Sequence, residues 1–431
     1  MFRYLAAAFI LLATASHPSA IERYKTLRQQ ARSAHQAHNQ AAYLRALLPL
    51  QEFLHHTPAY VEATAEAYAA VGDTSHALAS LNEFAALGQT NEALLNNQSP
   101  AFAQLQKTPE YKSILKHLAA NNAPAAHAET AFTLADPGIV AEDIAYDPQS
   151  KSFFITSILK KKIIRLTLGG GGATDFAESP SQWPMQAIKI DPARNLLWAT
   201  EVALDTFTAA PKSDWGRSAL LCFNLQSGAL LRRIEGPAHA ALGDMALTPD
   251  GTPIVSDGAG GGIYQLAGDT LKLINGADFI SPQTPATLPG SQHIFVPDYL
   301  RGIGSLDLKS GQVTWLHSDG KYALSGVDGL YFANGSLFLT QNGTSPERVL
   351  RLQLDKTYTK IVMEETIERA TPTLGDPTHG VIVDGFLYYI ANSGWSELDD
   401  HGDVKPGSHL TPAHIMRFAL KSPSAATPPQ Q

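Results

Sequence analysis

The feature that most constrains this chain is a short strand grammar that recurs six times. Its first instance is Ala141 to Leu168, AEDIAYDPQSKSFFITSILKKKIIRLTL, where an apolar strand, a DPQSK turn, a stronger strand (SFFITSI), a basic connector and a third strand (KIIRLTL) follow one another. Apolar runs of this length, punctuated by Pro, Asp, Ser and Lys, spell antiparallel strands joined by hairpins. The first unit gains an outer strand near Ala173–Ala177. The second runs from MQAIKI through NLLWATEV and SALLCFNL to LLRRIE, and the third from GDMALT through TPIVSDG and GGIYQLA to LKLING. TPATL, HIFVPDY, GIGSLDL and QVTWLHS make the fourth; VDGLYFA, GSLFLTQN, RVLRLQL and TKIVMEE make the fifth.

Unit six has HGVIVDG, FLYYIANSG and HIMRFAL, then enters a Ser/Pro/Ala tail with no fourth strand. Thr130 to Leu134 (TAFTL), just before unit one, is the candidate for the missing strand. Paired with unit six, it closes the ring and leaves no sheet edge open. The expectation is a mainly β fold, a six-bladed β-propeller over residues 129–420, with a disordered tail at 421–431.

The front of the chain differs. Residues 1–20 carry Arg3, a short apolar run from Leu5 to Ala13, and small residues at Ala13-Thr14-Ala15 and Pro18-Ser19-Ala20. A run this short does not span a bilayer, so it reads as a secretory signal peptide that leaves no membrane span once removed. The expected location is outside the cell or in a periplasm. Residues 21–120 are rich in Ala, Leu, Gln and Glu at helical spacing. Ala65 and Tyr68 fall on one helix, Gly72-Asp73 makes a turn, and Ala77, Leu81 and Phe84 fall on the next. That pattern resembles a tetratricopeptide helix pair. One 34-residue period earlier, Ala31, Ala34, Tyr43, Leu47 and Leu50 match. Two such pairs and a cap are fewer than a free-standing solenoid needs, so the segment is expected to pack on the remainder. It reads either as a partner-binding groove or as a helical appendage. Residues 121–128 (NNAPAAHA) read as a linker.

Net charge is −8, with no basic block, which excludes nucleic acid as the obvious partner. Cys222 is the one cysteine, so no internal disulfide forms, and within ALLCFNL it reads as a small buried hydrophobe. The GGGG run at Gly169–Gly172 lacks a following Lys-Ser/Thr and is not a phosphate loop. No G-x-S-x-G elbow is present to anchor a serine hydrolase.

In a propeller the innermost strands face the channel, and polar residues at their starts converge on one rim. Here those are Glu142, Asp143, Gln186, Asp244, Gln283, Asp328 and His379; the second-strand ends add Asp257, Asp298, Asn342 and Asn392. Facing carboxylates repel unless a cation or a proton intervenes, which points to a metal without requiring one. Asp244 and Asp328 adjoin glycines and can equally cap turns. Insertions at Leu204–Trp215 and Trp395–Pro412 either shape a mouth or pack over the disc.

The stretch AEDIAYDPQSKSFFITSILKKKIIRL resembles the opening blade of the SMP-30/gluconolactonase family, and LGDMALTPDGTPIVSDG and GVDGLYFANGSLFLTQN are similar to SMP-30 or NHL-type blades. The resemblance covers roughly residues 130 to 420. It implies a divalent metal at one mouth of the channel, typically held by Glu, Asn and Asp, and lactone or ester hydrolysis. Glu142 matches the glutamate; Asp328 stands where the family has Asn, and His379 where it has Asp. Calcium prefers an all-oxygen shell, and the histidine moves the expectation toward zinc or manganese. Asp328, Asp257 or His379 would serve as general base, with Asp244, Gln186, Asp298, Asn342 and Asn392 as substrate contacts at the mouth. Two readings stay open: a metal-dependent hydrolase, and a non-catalytic propeller that binds a small molecule, or a protein through its helices.

Overall fold

The computed structural model describes residues 18–167 and 172–420. Most of the expected leader, Leu168, most of the glycine run and the tail lie outside the described residues. The last two residues expected in the leader belong to the fold. Ser19 closes a capping box with Glu22 at the start of α1 (Ala20–Gln36), and Ala20 is buried. A serine that accepts from the third helical N–H while glutamate reaches back satisfies two orphan donors at once.

Two antiparallel pairs follow from the expected spacing: α1 with α2 (Gln40–Phe53), and α3 (Pro58–Ala70) with α4 (Thr74–Ala86). Ala65, Ala77, Leu81 and Phe84 are buried together, and small residues let the axes approach. The shorter α5 (Glu92–Leu95) and α6 (Pro109–Asn121) cap this core with Leu94, Tyr111 and Leu118. No helix among the described residues is long and apolar enough to cross a membrane.

Six sheets follow. Blade one comprises Ala141–Asp147, Ser152–Ser157, Lys162–Thr167 and Ala173–Glu178, and blades two to four repeat its four-stranded antiparallel order. Blade six has three strands of its own, Gly380–Val383, Phe386–Ile390 and His414–Ala419; Glu129–Thr133 from the other end of the domain pairs with the last. The protein is a six-bladed β-propeller closed as its sequence implies. The linker expectation needs correction. Asn121 ends α6, and Ala125–Ala126 pairs with Glu368 and Arg369 as a fifth strand on the outer edge of blade five. Two alanines without β propensity are recruited there because the blade-five edge offers unpaired backbone groups.

A repeated hydroxyl joins the blades. Thr156 Oγ1 accepts from the N–H of Asp143 and donates to Gln186 O of the next blade; Thr340 links Gly329 N to Thr378 O in the same way. Thr200 and Ser256 hold one half of this clasp each. The residue after each clasp, Ser157, Glu201, Asp257 or Gln341, bonds the loops of its own face, as do Asp298 and Asn392, which follow Pro297 and Ala391 in blades four and six. The innermost strands of blades one to three also begin with a β-bulge, at Ala141–Ile144, Met185–Ile188 and Leu242–Asp244. Such bulges re-aim the side chains they contain.

The helices dock on this disc. Ala20 N–H donates to Ala277 O (2.7 Å), Thr57 Oγ1 to Leu300 O (2.5 Å) and Thr90 N–H to Ser345 O (2.6 Å). The centre of the contact is Arg348, fully buried, whose guanidinium donates to Leu87 O, Gly88 O and Gln341 Oε1. Gly88 has φ 74°, and a Cβ there would meet the Arg348 guanidinium. Removing the guanidinium strands two carbonyls and an amide oxygen. Arg348→Met is therefore expected to lose about 2–3 kcal/mol in chemical denaturation, against less than about 1 kcal/mol for an exposed control such as Arg45→Met.

Candidate metal centre at the channel mouth

The starts of the inner strands bring three ligand-capable groups together. One carboxylate oxygen each from Asp244 and Asp328 and one ring nitrogen of His379 all lie within 4.8 Å of one another, and all three residues are buried. His379 Nε2 stands 2.7 Å from Asp244 Oδ1 and 3.9 Å from Asp328 Oδ1. On the other side of the ring, Nδ1 donates to the backbone oxygen of Glu142 at 2.8 Å, which fixes the ring's orientation and aims Nε2 at the carboxylates. Thr284 Oγ1 donates to Asp244 Oδ1 (2.5 Å) and Asn342 Nδ2 to Asp328 Oδ2 (2.9 Å). Asp328 is thus held through its far oxygen, and Asp244 through the same oxygen that meets His379, each by a neutral donor.

The electrostatics follow from packing acids in a low-dielectric channel. Burial alone disfavours a charged His379, yet the carboxylates of Asp328, Asp244 and Asp143 raise it well above the ordinary histidine range. Burial pushes Asp328 up to about 6; His379 opposes this and Asp244 adds to it. Burial likewise pushes Glu142 up to about 8, opposed by His379 and reinforced by Asp328. Without an ion, then, the imidazolium is the cation that holds the acids together. Two carboxylates and an imidazole that is pinned by its far nitrogen also fit a divalent ion of borderline character, zinc or manganese before calcium.

The placement differs from the expected triplet in one member. Asp328 and His379 fall in the cluster as the resemblance implied, but Asp244, expected as a substrate contact, completes it. The Glu142 carboxylate turns away and accepts from Trp395 Nε1. Glu142 keeps partial exposure at the rim. Gln186 lies beside this group, with Oε1 2.8 Å from where a Cβ on Gly243 would stand, so a side chain at that position would displace the Gln186 amide. Asn342 belongs to the site through Asp328. Asp257, Asp298 and Asn392 are committed elsewhere. Asp257 accepts the N–H groups of Ala241, Ala259 and Gly260; Asp298 accepts those of Ile280, Ser281, Leu300 and Arg301; Asn392 bonds His414 N and Pro412 O. With all three amides on Oδ1, the Asp257 carboxylate is fixed to the loops of its own blade and stands apart from the Asp244, Asp328 and His379 cluster.

Several contributors were not foreseen. Thr284 and Tyr299, whose hydroxyl donates to Asn342 Oδ1 at 3.0 Å, carry no motif of their own. Asp143 faces inward as expected, and it accepts from Ile188 N and pairs with Lys189. The insertions do pack over the disc: the Phe207 and Trp395 rings lie 5.7 Å apart, and Thr208 N–H donates to His401 O. Asp399 spends its carboxylate on the N–H groups of His401 and Asp403.

No protein-family model matches the chain, and no curated protein matches it. Among solved structures, it is similar to a putative glucose dehydrogenase of Thermus thermophilus (17% identity, TM-score 0.49, covering 68% of this chain and 99% of that one). It is similar also to a gluconolactonase of Xanthomonas campestris (14%, 0.45, 65% and 86%) and to a calcium-binding regucalcin of Agrobacterium tumefaciens (17%, 0.46, 68% and 98%). Likeness at this level says nothing of chemistry, which rests on the residues of this chain.

Outward from Asp328 the acids continue. Asp376 is pushed up to about 6 by burial and by Asp328; its N–H donates to Glu347 Oε2 at 2.5 Å. Burial pushes Glu347 up to about 7, with the Asp376 N–H opposing. A carboxyl raised in the folded state adds stability that is complete below its unfolded value, near 4.5, and lost as pH rises through about 7. Glu347→Gln removes that slope. Its melting temperature is expected to exceed the parent's at pH 8 and to match it near pH 4.

Proposed function

We propose that this is an exported protein whose channel mouth binds one divalent cation and hydrolyses a small lactone or ester. The observation that carries the reading is the convergence of Asp244, Asp328 and His379, with His379 Nδ1 and Asp328 Oδ2 each fixed by a neutral neighbour. Asp244 and Asp328 would supply oxygens and His379 its Nε2. A bound cation of this kind polarises a carbonyl and acidifies water. Glu142 supplies the proton chemistry: Trp395 holds one carboxylate oxygen, and the other is left at the rim, where a carboxyl pushed up to about 8 by burial carries a proton at neutral pH to give to the leaving alcohol. The blade-two and blade-six insertions wall this rim and limit the substrate to a small molecule.

A non-catalytic binding propeller is the second reading, and one observation favours it. His379 at 2.7 Å from Asp244 already compensates the acids, so the cluster can stand as an ion-pair network. Two variants separate the readings. Elemental analysis of the purified chain is expected to find about one divalent ion, absent from Asp328→Asn. Glu142→Gln is expected to keep the ion and lose on the order of 100-fold in lactone or ester turnover. No ion in the parent, even after incubation with zinc, manganese or calcium, would sink the hydrolase and leave the binding propeller.

A further inference from the structure

A second cavity, about 390 Å³, opens where the helices meet blade four. The turn between α2 and α3 forms one wall; Arg301, Trp315 and the loop carrying Tyr322 and Leu324 form the other. Arg301 lies between the Phe53 and Trp315 rings, 4.5 and 4.4 Å from their centroids. Nε donates to Phe53 O (3.2 Å), Nη1 to Asp278 O (2.6 Å), and Nη2 stands 3.4 Å from His55 Nε2. His55 Nδ1 donates to Arg301 O (2.9 Å), so its Nε2 presents a lone pair rather than a second proton. A guanidinium has five N–H donors; three are committed here, all to neutral acceptors, and about two remain.

The acids nearest Arg301 are spent elsewhere. Asp298 accepts four backbone amides, and Asp278 accepts from Asn275 Nδ2. On the helical wall, His56 Nδ1 pairs with Glu83 (2.5 Å) while Nε2 reaches the exposed Glu52 (3.4 Å), so one imidazolium is shared between two carboxylates there and leaves a negative charge, largely at the exposed Glu52. Asp319 and His317 stand at the exposed rim. A half-buried cation with no carboxylate bonded to it is costly, and here it sits rigidly in the wall of a cavity. The backbone opposite is strained as well. His55 and His56 are consecutive non-glycine residues in left-handed conformation, φ 51° and 61°, an arrangement that clusters at ligand sites.

We propose that this junction cavity binds a small organic carboxylate, its anionic end on the Arg301 fork and its apolar body against Trp315, Tyr322 and Leu324. Because the cavity exists only where the helices meet the propeller, occupancy also holds the two together. The site is separate from the channel and does not depend on catalysis there.

Isothermal titration of the full chain with benzoate, and separately with inorganic phosphate, tests this. Saturable binding of one benzoate per chain is expected, together with a rise in melting temperature. Arg301→Lys keeps the charge but loses the planar fork and is expected to weaken benzoate at least about ten-fold. Tyr322→Ala, which leaves Arg301 and its bonds in place, is expected to weaken it as well and covers the case of a misfolded Arg301 variant. Asp328→Asn is expected to bind benzoate as the parent does. No saturable benzoate binding, phosphate binding with benzoate inert, or unchanged affinity in both cavity variants would each overturn the proposal.

Discussion

Closure of the ring is the constraint on which everything else depends. Blade six has three strands of its own, and its edge would stand open without Glu129–Thr133, which arrives from the far end of the domain. An open edge invites pairing with other chains, and a ring fastened by one borrowed strand removes that edge. Closure also sets the radius at which inner strands approach one another. The clasps of Thr156, Thr200, Ser256 and Thr340 then hold the starts of those strands, so polar residues there are forced into one small volume.

Crowding of acids is the consequence. Asp143, Asp244, Asp328 and Glu142 share a channel with His379 and Lys189, and no arrangement of four ionised carboxylates is stable there without positive charge. Lys189 serves Asp143, leaving His379 for the others. That division explains why the imidazole is so strongly held in its charged form and why its far nitrogen is tied to a backbone oxygen. A ring free to rotate would leave Asp244 and Asp328 unpaired at close range. An entering divalent ion would take over the same role with a larger charge and release the histidine proton.

The fold was legible because each blade restates one pattern, and period-two apolar strands with turn residues between them survive inspection one at a time. Even the borrowed strand could be found, because unit six was visibly one short. The site was legible only in part. Asp328 and His379 lie where strand starts put them, but backbone bulges decide which of two neighbouring side chains faces in. Sequence shows no bulge, so Asp244 and Glu142 exchanged places. Asp257 and Asp298 resemble the channel acids in their sequence setting. They differ because their oxygens reach loop amides contributed by residues up to eighteen positions away. Ala125–Ala126 was missed for the opposite reason: nothing in two alanines asks for a strand, and the partner edge supplied the demand.

The position of the helices ties the two halves of the molecule to one face. Tyr299 reaches the Asp328 cluster through Asn342, while its neighbours Leu300 and Arg301 hold Thr57 and Phe53. The helical segment therefore stands on the face that carries the channel acids, opposite the blade-two and blade-six insertions. Its cores are incomplete alone, since Ile280 and Leu300 fill one and Ala323 the other. Two helix pairs too few for a solenoid are thus finished by the propeller, and in return they raise one wall beside its mouth. A movement of the helices would shift Arg301 and Tyr299 together, since they stand two positions apart in one loop. The channel acids and the junction cavity are in that sense neighbours along the chain as well as on the face.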